Sequence, residues 1–167
     1  MVTDPAGGRQ FVAARVAEGM DHIKVIVDPP AARSVPTLVM MAAVAAAAPR
    51  PGLDSRFARG AVTALHAAGV PIVLGTDANQ AQGVPANVPY GESAHRELEL
   101  LVEAGLTPAE ALHAATGAAA DRFGLPDRGR IAAGLRADLL LVDGDPLDDI
   151  AATRSIRRVW LAGIADS

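Results

Sequence analysis

An aspartate, Asp77, follows a largely apolar run, Val70–Leu74, after the two residues Gly75 and Thr76. A run of this kind is typical of a strand in a parallel sheet that is covered on both faces. Ligands and catalytic groups collect at the carboxyl ends of such strands. A carboxylate there can bind a divalent metal or act as a general base toward a metal-bound water. The alternative is that Asp77 caps the next turn by accepting backbone N–H groups.

Lys24 is the second candidate, because it lies inside the run His22–Val27, whose β-branched residues predict a strand. A lysine in the middle of such a strand must face water, a partner or a site. The alternative, which the sequence alone favours, is a lysine that points outward or extends its charged end to water.

The histidines His22, His66, His95 and His113 show neither H-x-H nor H-E-x-x-H spacing. His95 and Glu99 lie four residues apart on a predicted helix, which favours a solvated pair over a pair of metal ligands. A structural role is favoured for His66 and His113, which fall in alanine-rich helices, whereas His22 can point either way. The acidic run 142–149 lacks the spacing of an EF-hand loop, so we interpret it as a solvated turn.

Alternating strands and helices must position these residues. The glycine stop and apolar spacing predict a helix over Phe11–Gly19, and Asp28-Pro29-Pro30 ends the first strand. Beyond it the sequence predicts a strand over Val35–Met40, a helix through the alanine-rich stretch to Ala48, a helix over Leu53–Ala68, the strand Val70–Leu74 and a long loop from Ala78 to Gly91.

The second half begins with a helix whose apolar residues, Ala94, Leu98, Leu101 and Val102, recur with helical period. Thr107-Pro108-Ala109-Glu110 predicts a capping box and a new helix, with a further turn or two ending at Phe123-Gly124. Short strands are predicted after that, over Gly129–Ile131, Ala137–Val142 and Ile156–Ala162.

Composition excludes several classes of function. The chain has 167 residues, no cysteine and a net charge of −4, which gives it no electrostatic reason to bind nucleic acid or an anionic membrane and excludes thiolate chemistry. Its longest apolar run, Leu38–Ala48, is too short to span a bilayer, and Met1–Gln10 has no apolar signal region. We therefore expect a soluble, cytoplasmic protein.

Several stretches together resemble the amidohydrolase superfamily, in particular its imidazolonepropionase-like and prolidase-like members. The segment 69–78 resembles the eighth barrel strand and its terminal aspartate, and 106–112 with Ala115-Thr116 resembles the helix that follows. Segments 129–131, 134–140 and 145–146 resemble the return of the chain into a small β-sandwich. Asp21-His22-Ile23-Lys24-Val25 resembles the fourth strand of members that carry a carboxylated, metal-bridging lysine.

The resemblance implies an α/β fold: part of a (β/α)8 TIM barrel over residues 1–125, followed by a β-sandwich segment over 126–167. It further implies a divalent metal, zinc first, and a metal-bound hydroxide that attacks the carbon–nitrogen bond of a small amide or cyclic amide. Asp77 would then be a metal ligand and the proton shuttle, and a carboxylated Lys24 would be the bridging ligand.

The family's H-x-H pair and its two further histidine ligands have no counterpart in the 167 residues. Because a closed barrel needs roughly 250 residues, we expect a truncated chain with an internal deletion of about two βα units near Pro30–Val35. Two hypotheses follow. The chain is a hydrolase, inactive alone unless a complementing chain or a second copy completes the site, or it is a non-catalytic remnant that forms oligomers. A metal-free binding module that uses the loop 78–91 is a third possibility.

Overall fold

The computed structural model describes residues 41–42, 55–78, 80–82 and 88–166. Its elements are, in chain order, β1 (Met41–Ala42), α1 (Ser55–Ala67), β2 (Val73–Leu74), α2 (Glu92–Glu103), α3 (Pro108–Ala115), α4 (Gly117–Arg122), β3 (Leu139–Val142), a 3₁₀ helix (Ile150–Arg154), β4 (Ile156–Leu161) and β5 (Ile164–Ala165). The predicted elements Phe11–Gly19, His22–Val27 and Val35–Met40 lie outside the described residues. So does the alanine-rich stretch after Ala42.

Strands β1 and β2 pair in parallel, with Met41 opposite Val73 and Ala42 opposite Leu74. This confirms a parallel-type strand before Asp77, although it is shorter than the predicted Val70–Leu74. The prediction that helix continues through Met41–Ala42 is wrong. Alanine favours helix only weakly, and pairing with a neighbouring strand overrides that preference here.

Helix α2 forms as its apolar period predicts, and its buried face organises the core. Leu101 is fully buried and Leu98 nearly so. Both join a cluster that also includes Val62 of α1, Ile72 before β2, Ala111 of α3 and Ile150 of the 3₁₀ helix. The helices before β2 and after it, and the segment beyond residue 126, therefore share one apolar core.

Helix α3 begins with the predicted capping box. The Thr107 hydroxyl accepts the Glu110 backbone N–H at 3.2 Å, and the Glu110 carboxylate accepts the Thr107 backbone N–H at 2.7 Å and its hydroxyl at 2.8 Å. The Thr107 backbone N–H chiefly, with the Thr107 hydroxyl and His66, lowers the pKa of Glu110 to about 2. The Glu110 carboxylate of the cap is therefore ionised at neutral and mildly acidic pH.

Beyond residue 126 the strands form an antiparallel sheet in the order β3-β4-β5. The predicted strands near 137–142 and 156–162 are confirmed as β3 and β4, whereas β5 and the 3₁₀ helix were not predicted. The predicted strand Gly129–Ile131 is wrong. Gly129 has a φ of 87°, and an added Cβ would meet the Ala120 Cβ at 2.5 Å, so the backbone turns tightly against α4 instead of extending.

The acidic run 142–149 is a turn, as predicted, with a defined local role. The Asp145 side chain accepts the Leu147 N–H at 2.9 Å, and the Asp149 side chain caps the 3₁₀ helix by accepting the Ala151 N–H at 3.0 Å. In the described part of the chain, no helix is both long and apolar enough to cross a membrane. The assignment of 1–125 and 126–167 as two domains stays a prediction.

Replacing Thr107 by Ala is expected to lower the free energy of unfolding by about 1 kcal/mol near neutral pH, because the first turn of α3 loses its cap. Glu110→Ala is expected to destabilise in a pH-dependent way. Glu110 has a lower pKa in the folded chain than its ordinary 4.5, so its contribution is present above that value and is lost as pH falls toward about 2. Urea unfolding of both variants at pH 7 and pH 2.5 measures this. A Glu110→Ala deficit of equal size at both pH values would contradict the role of the ionised cap.

Candidate functional site

Asp77 lies three residues beyond the carboxyl end of β2, on the side of the parallel pair where the sequence places a site. Its side chain is exposed. The neighbouring Thr76 hydroxyl accepts the Ala78 N–H at 3.2 Å, so a side chain other than Asp77 closes this part of the turn. The carboxylate is thus presented at the strand end by a loop that Thr76 holds locally.

The backbone of Asp77 is in the left-handed region, with a φ of 52°. Among the described non-glycine residues, the other positive φ is at Ala162, at 53°. Ala162 and Gly163 form the two-residue turn between β4 and β5, and a turn of the type favoured there requires a positive φ at both positions. Asp77 lies in no such hairpin. Left-handed backbone outside regular turns concentrates at functional sites, which makes this conformation a second reason to single out Asp77.

Lys24, the other predicted metal ligand, lies outside the described residues, as does His22. Within the described ranges from 41 to 166, no three His, Asp or Glu side chains come together in a group that could hold a metal. A catalytic zinc site normally has three protein ligands, so the described residues by themselves do not fit that group. The position of Asp77 fits one ligand of a larger set.

The prediction that His95 and Glu99 form a solvated pair is wrong. His95 Nδ1 lies 3.1 Å from the hydroxyl of Thr153, which is 4% exposed, and Glu99 Oε1 accepts Arg154 Nε at 2.7 Å. Both side chains therefore contact the 3₁₀ helix, and both are only partly exposed. The Arg154 hydrogen bond, with a smaller effect of Arg96, lowers the pKa of Glu99.

Thr153 and Arg154 are the residues that sequence reasoning missed in this region. Arg154 also donates to Glu92 in the first turn of α2, so it joins two carboxylates of one helix. A signal was present, since Asp149 is a good cap residue followed by a short stretch of helix formers. Nothing in the sequence indicated that this short helix would pack against α2.

His66 and His113 line a pocket of about 380 Å³ between α1 and α3. His66 Nε2 lies 3.3 Å from Glu110 Oε1, which ties α1 to the cap of α3. The walls are mostly apolar and include Val70 and Ile72, which precede β2. The pocket is thus at the amino end of the strand, away from Asp77, and the structural role favoured for His66 agrees with its hydrogen bond to Glu110 across the helices.

Parallel strands that alternate with helices, with an aspartate beyond a strand's carboxyl end, define an α/β protein of the class that places its sites at that edge. The amidohydrolase family model matches residues 12–165. The chain therefore belongs to the amidohydrolase family.

The chain is similar to several proteins of known name. It is 42% identical over 100 residues to the imidazolonepropionase of Deinococcus deserti. The aligned region covers 58% of this chain and 24% of that protein. The solved structure of a Xaa-Pro dipeptidase with bound methionine in its active site aligns over 68% of this chain and 26% of that one, with a TM-score of 0.60 and 26% identity. Molinate hydrolase aligns with a TM-score of 0.58 and 30% identity over 67% of this chain and 27% of that one. The chain spans about a quarter of the length of these proteins.

Asp77→Gly and Asp77→Ala remove the same carboxylate and differ mainly in tolerance of a positive φ. We expect the glycine variant to be more stable than the alanine variant by about 1 kcal/mol, because alanine is strained in left-handed backbone and glycine is not. The exposed helical residue Ala64 is the matched control, where glycine is expected to be less stable than alanine by about the same amount. Urea unfolding of the variants measures both differences. An alanine variant equal to the glycine variant would contradict the left-handed conformation at residue 77.

Proposed function

We propose that this chain contributes to the hydrolysis of a carbon–nitrogen bond in a small amide or cyclic amide. The observation that carries the proposal is the exposed carboxylate of Asp77, in left-handed backbone beyond the end of β2, within a chain of the amidohydrolase family. Hydrolases stand among the similar proteins, including a dipeptidase and molinate hydrolase. Their different names give no ground for choosing one substrate, so we propose the reaction class only.

In this proposal Asp77 accepts a proton from the attacking water and passes it to the nitrogen that leaves. Its side chain is exposed at the strand end, and general acid–base work requires a group that a substrate can reach. Among the described residues, no three His, Asp or Glu side chains come together in a group that could hold a metal. A divalent metal, with zinc as first choice, would supply a polarised water once other ligands are present, with a carboxylated Lys24 as one of them. Other ligands would come from a second copy of this chain or from a complementing chain.

The partial barrel and the β-sandwich segment predicted from the sequence are part of this proposal. The β-sandwich segment is supported by a three-stranded sheet that has an exposed apolar face. Since residues opposite each other across strands share a face, the register places Leu140 and Val159 together with Leu161 and its partner Ile164. Of these, Ile164 is 75% exposed and Leu161 58% exposed. A sheet of this kind is stable in water when a second layer covers it.

A non-catalytic remnant is the second candidate function, and two observations favour it. The described residues hold one carboxylate at the strand end where a catalytic zinc site needs three ligands. The exposed sheet face also favours self-association over a free monomer. In this alternative Asp77 remains in place without binding a metal.

The metal content of the purified chain separates the two candidates. We expect near-stoichiometric zinc or manganese by elemental mass spectrometry, lost in Asp77→Asn and retained in Asp148→Asn, which removes an exposed carboxylate of the acidic turn. Amide hydrolysis with zinc, cobalt or manganese supplied is then expected to depend on Asp77. Metal absent from the chain and from both variants, with no hydrolysis, would favour the remnant and reject a hydrolase whose site is completed by a second copy of this chain.

Self-association through the sheet face is a separate expectation. Leu161→Lys is expected to shift the chain toward monomer in sedimentation velocity, because a charge on that face opposes packing against a second copy. Leu147→Lys is the matched control: Leu147 is 59% exposed but lies in the acidic turn, away from the face. A wild-type monomer would contradict the second copy as the covering layer and leave a complementing chain as its source. Dissociation by the control variant alone would place the interface elsewhere.

A further inference from the structure

The pocket between α1 and α3, of about 380 Å³, has the size of a small-molecule site, since such sites begin at about 300 Å³. Its walls are largely apolar and include Ile72, Leu106 and Ala114, which are all buried. The reaction proposed for Asp77 makes no use of this pocket, because the pocket lies at the opposite end of β2. The pocket is therefore a candidate for a second, separate site.

Two of the walls are held in place by the same helix-ending motif. At the end of α1, the Val70 N–H donates to the Leu65 carbonyl at 3.0 Å. At the end of α2, the Leu106 N–H donates to the Leu101 carbonyl at 3.2 Å. Each bond reaches back five residues along the chain and closes a Schellman motif around a glycine of positive φ. Val70 and Leu106 thus line a pocket whose shape is set by the backbone.

Glu110 supplies the charge at the edge of this pocket. Its pKa is about 2, so its carboxylate is ionised at neutral pH. Because an ionised carboxylate can only accept, the hydrogen in the 3.3 Å contact with His66 lies on His66 Nε2. When that ring is neutral, its Nδ1 is an acceptor. The described residues that line the pocket include no Lys or Arg, so the fixed charge there is negative.

The helix ends around the pocket agree with this preference for positive charge. The pocket borders the C-terminal end of α1, where the helix macrodipole is negative. The N-terminal end of α3 would attract an anion, but the Glu110 carboxylate already occupies that place and accepts the Thr107 backbone N–H at 2.7 Å. An incoming anion would therefore meet a carboxylate at the helix end that could attract it.

His113 adds a second imidazole to the polar edge. A Cβ added at Gly117 would meet His113 Nδ1 at 2.7 Å, so the ring packs directly against the glycine that begins α4. A neutral imidazole accepts a hydrogen bond through one ring nitrogen. The pocket thus combines apolar walls with three groups that can accept hydrogen bonds, and one of the three is ionised.

We propose that this pocket binds a small apolar molecule that carries an ammonium group, such as an alkyl or aryl amine. The apolar part lies against Val70, Ile72 and Leu106, and the ammonium donates to Glu110. That carboxylate can accept a further hydrogen bond, because each of its oxygens has two lone pairs. The walls are formed before the ligand arrives, so binding orders little of the chain. The site is independent of Asp77 and of the reaction proposed for it.

Three probes that share an apolar body test the class of ligand. Phenethylamine, phenethyl alcohol and phenylacetate carry a positive, zero and negative charge at pH 7, and each is titrated into the isotope-labelled intact chain. We expect phenethylamine to shift the amide NMR signals of Val70, Leu106 and His113. At low salt it should bind about fivefold more tightly than the alcohol, with phenylacetate the weakest, because the carboxylate attracts one charge and repels the other.

Glu110→Gln removes the charge and keeps the capping box, since Gln also serves at that position. It should lower the affinity for phenethylamine to that of the alcohol and leave the alcohol unchanged. Glu103→Gln is the matched control: Glu103 also pairs with α1, through Arg59 at 3.4 Å, but does not line the pocket. Ala109→Phe, at the exposed edge of the pocket, should weaken both ligands, whereas Ala64→Phe on the exposed surface of α1 should not.

Four outcomes would overturn the proposal. In the first, no probe shifts these amides, which would leave the pocket to a side chain from a second copy of this chain. In the second, phenylacetate binds as tightly as phenethylamine. In the third, Glu110→Gln and Glu103→Gln weaken amine binding equally, which is the signature of general charge attraction. In the fourth, Asp77→Asn abolishes amine binding, which would place the amine at the other end of β2.

Discussion

The packing of α2 is the constraint on which the described structure depends. Its apolar residues Leu98 and Leu101 reach the core shared with α1, α3 and the segment before β2. A different set of residues on the same helix, His95 and Glu99, holds the 3₁₀ helix. The helix is therefore covered on more than one side, which explains why a helix with charged residues in most turns is nevertheless central. Displacing it would separate the strand that leads to Asp77 from the sheet that follows.

Asp77 differs from the core residues of α2, because its left-handed backbone has a cost for the stability of the fold. Left-handed backbone costs an ordinary residue about 1 kcal/mol or more, and glycine would adopt it freely. Ala162 has the same cost, and there the left-handed backbone has a geometric reason, because the Ala162–Gly163 turn joins β4 and β5 in register. At residue 77 no pairing of strands requires it. Asp is among the non-glycine residues that adopt this backbone most readily, so an aspartate at residue 77 fits both the conformation and the chemistry proposed for it.

How much of this could be predicted from sequence depends on whether the signal is local. The capping box of Thr107 and Glu110 and the apolar period around Leu98 and Leu101 involve neighbours along one helix, and both were predicted. Met41–Ala42 was predicted wrongly because strand pairing with Val73–Leu74 is a contact between distant residues, and local alanine preference carries no information about it. The partner of Glu99 was missed for the same reason, since Arg154 lies 55 residues away along the chain.

The candidate site also has features that are local in the sequence and features that are not. Asp77 could be predicted because a buried strand and the residue at its end are consecutive in sequence. Its left-handed backbone could not, since Asp is compatible with several turn conformations. The C-terminal unit has two different surfaces. One contacts α2 through Ile150, Thr153 and Arg154. The other is an apolar sheet face that includes the exposed residues Leu161 and Ile164. Whatever covers that face also contacts a unit that is bound to α2, the helix that follows Asp77 along the chain. Because α2 packs against the segment before β2 and also holds the 3₁₀ helix, it links the strand that leads to Asp77 with the sheet that a second layer would cover.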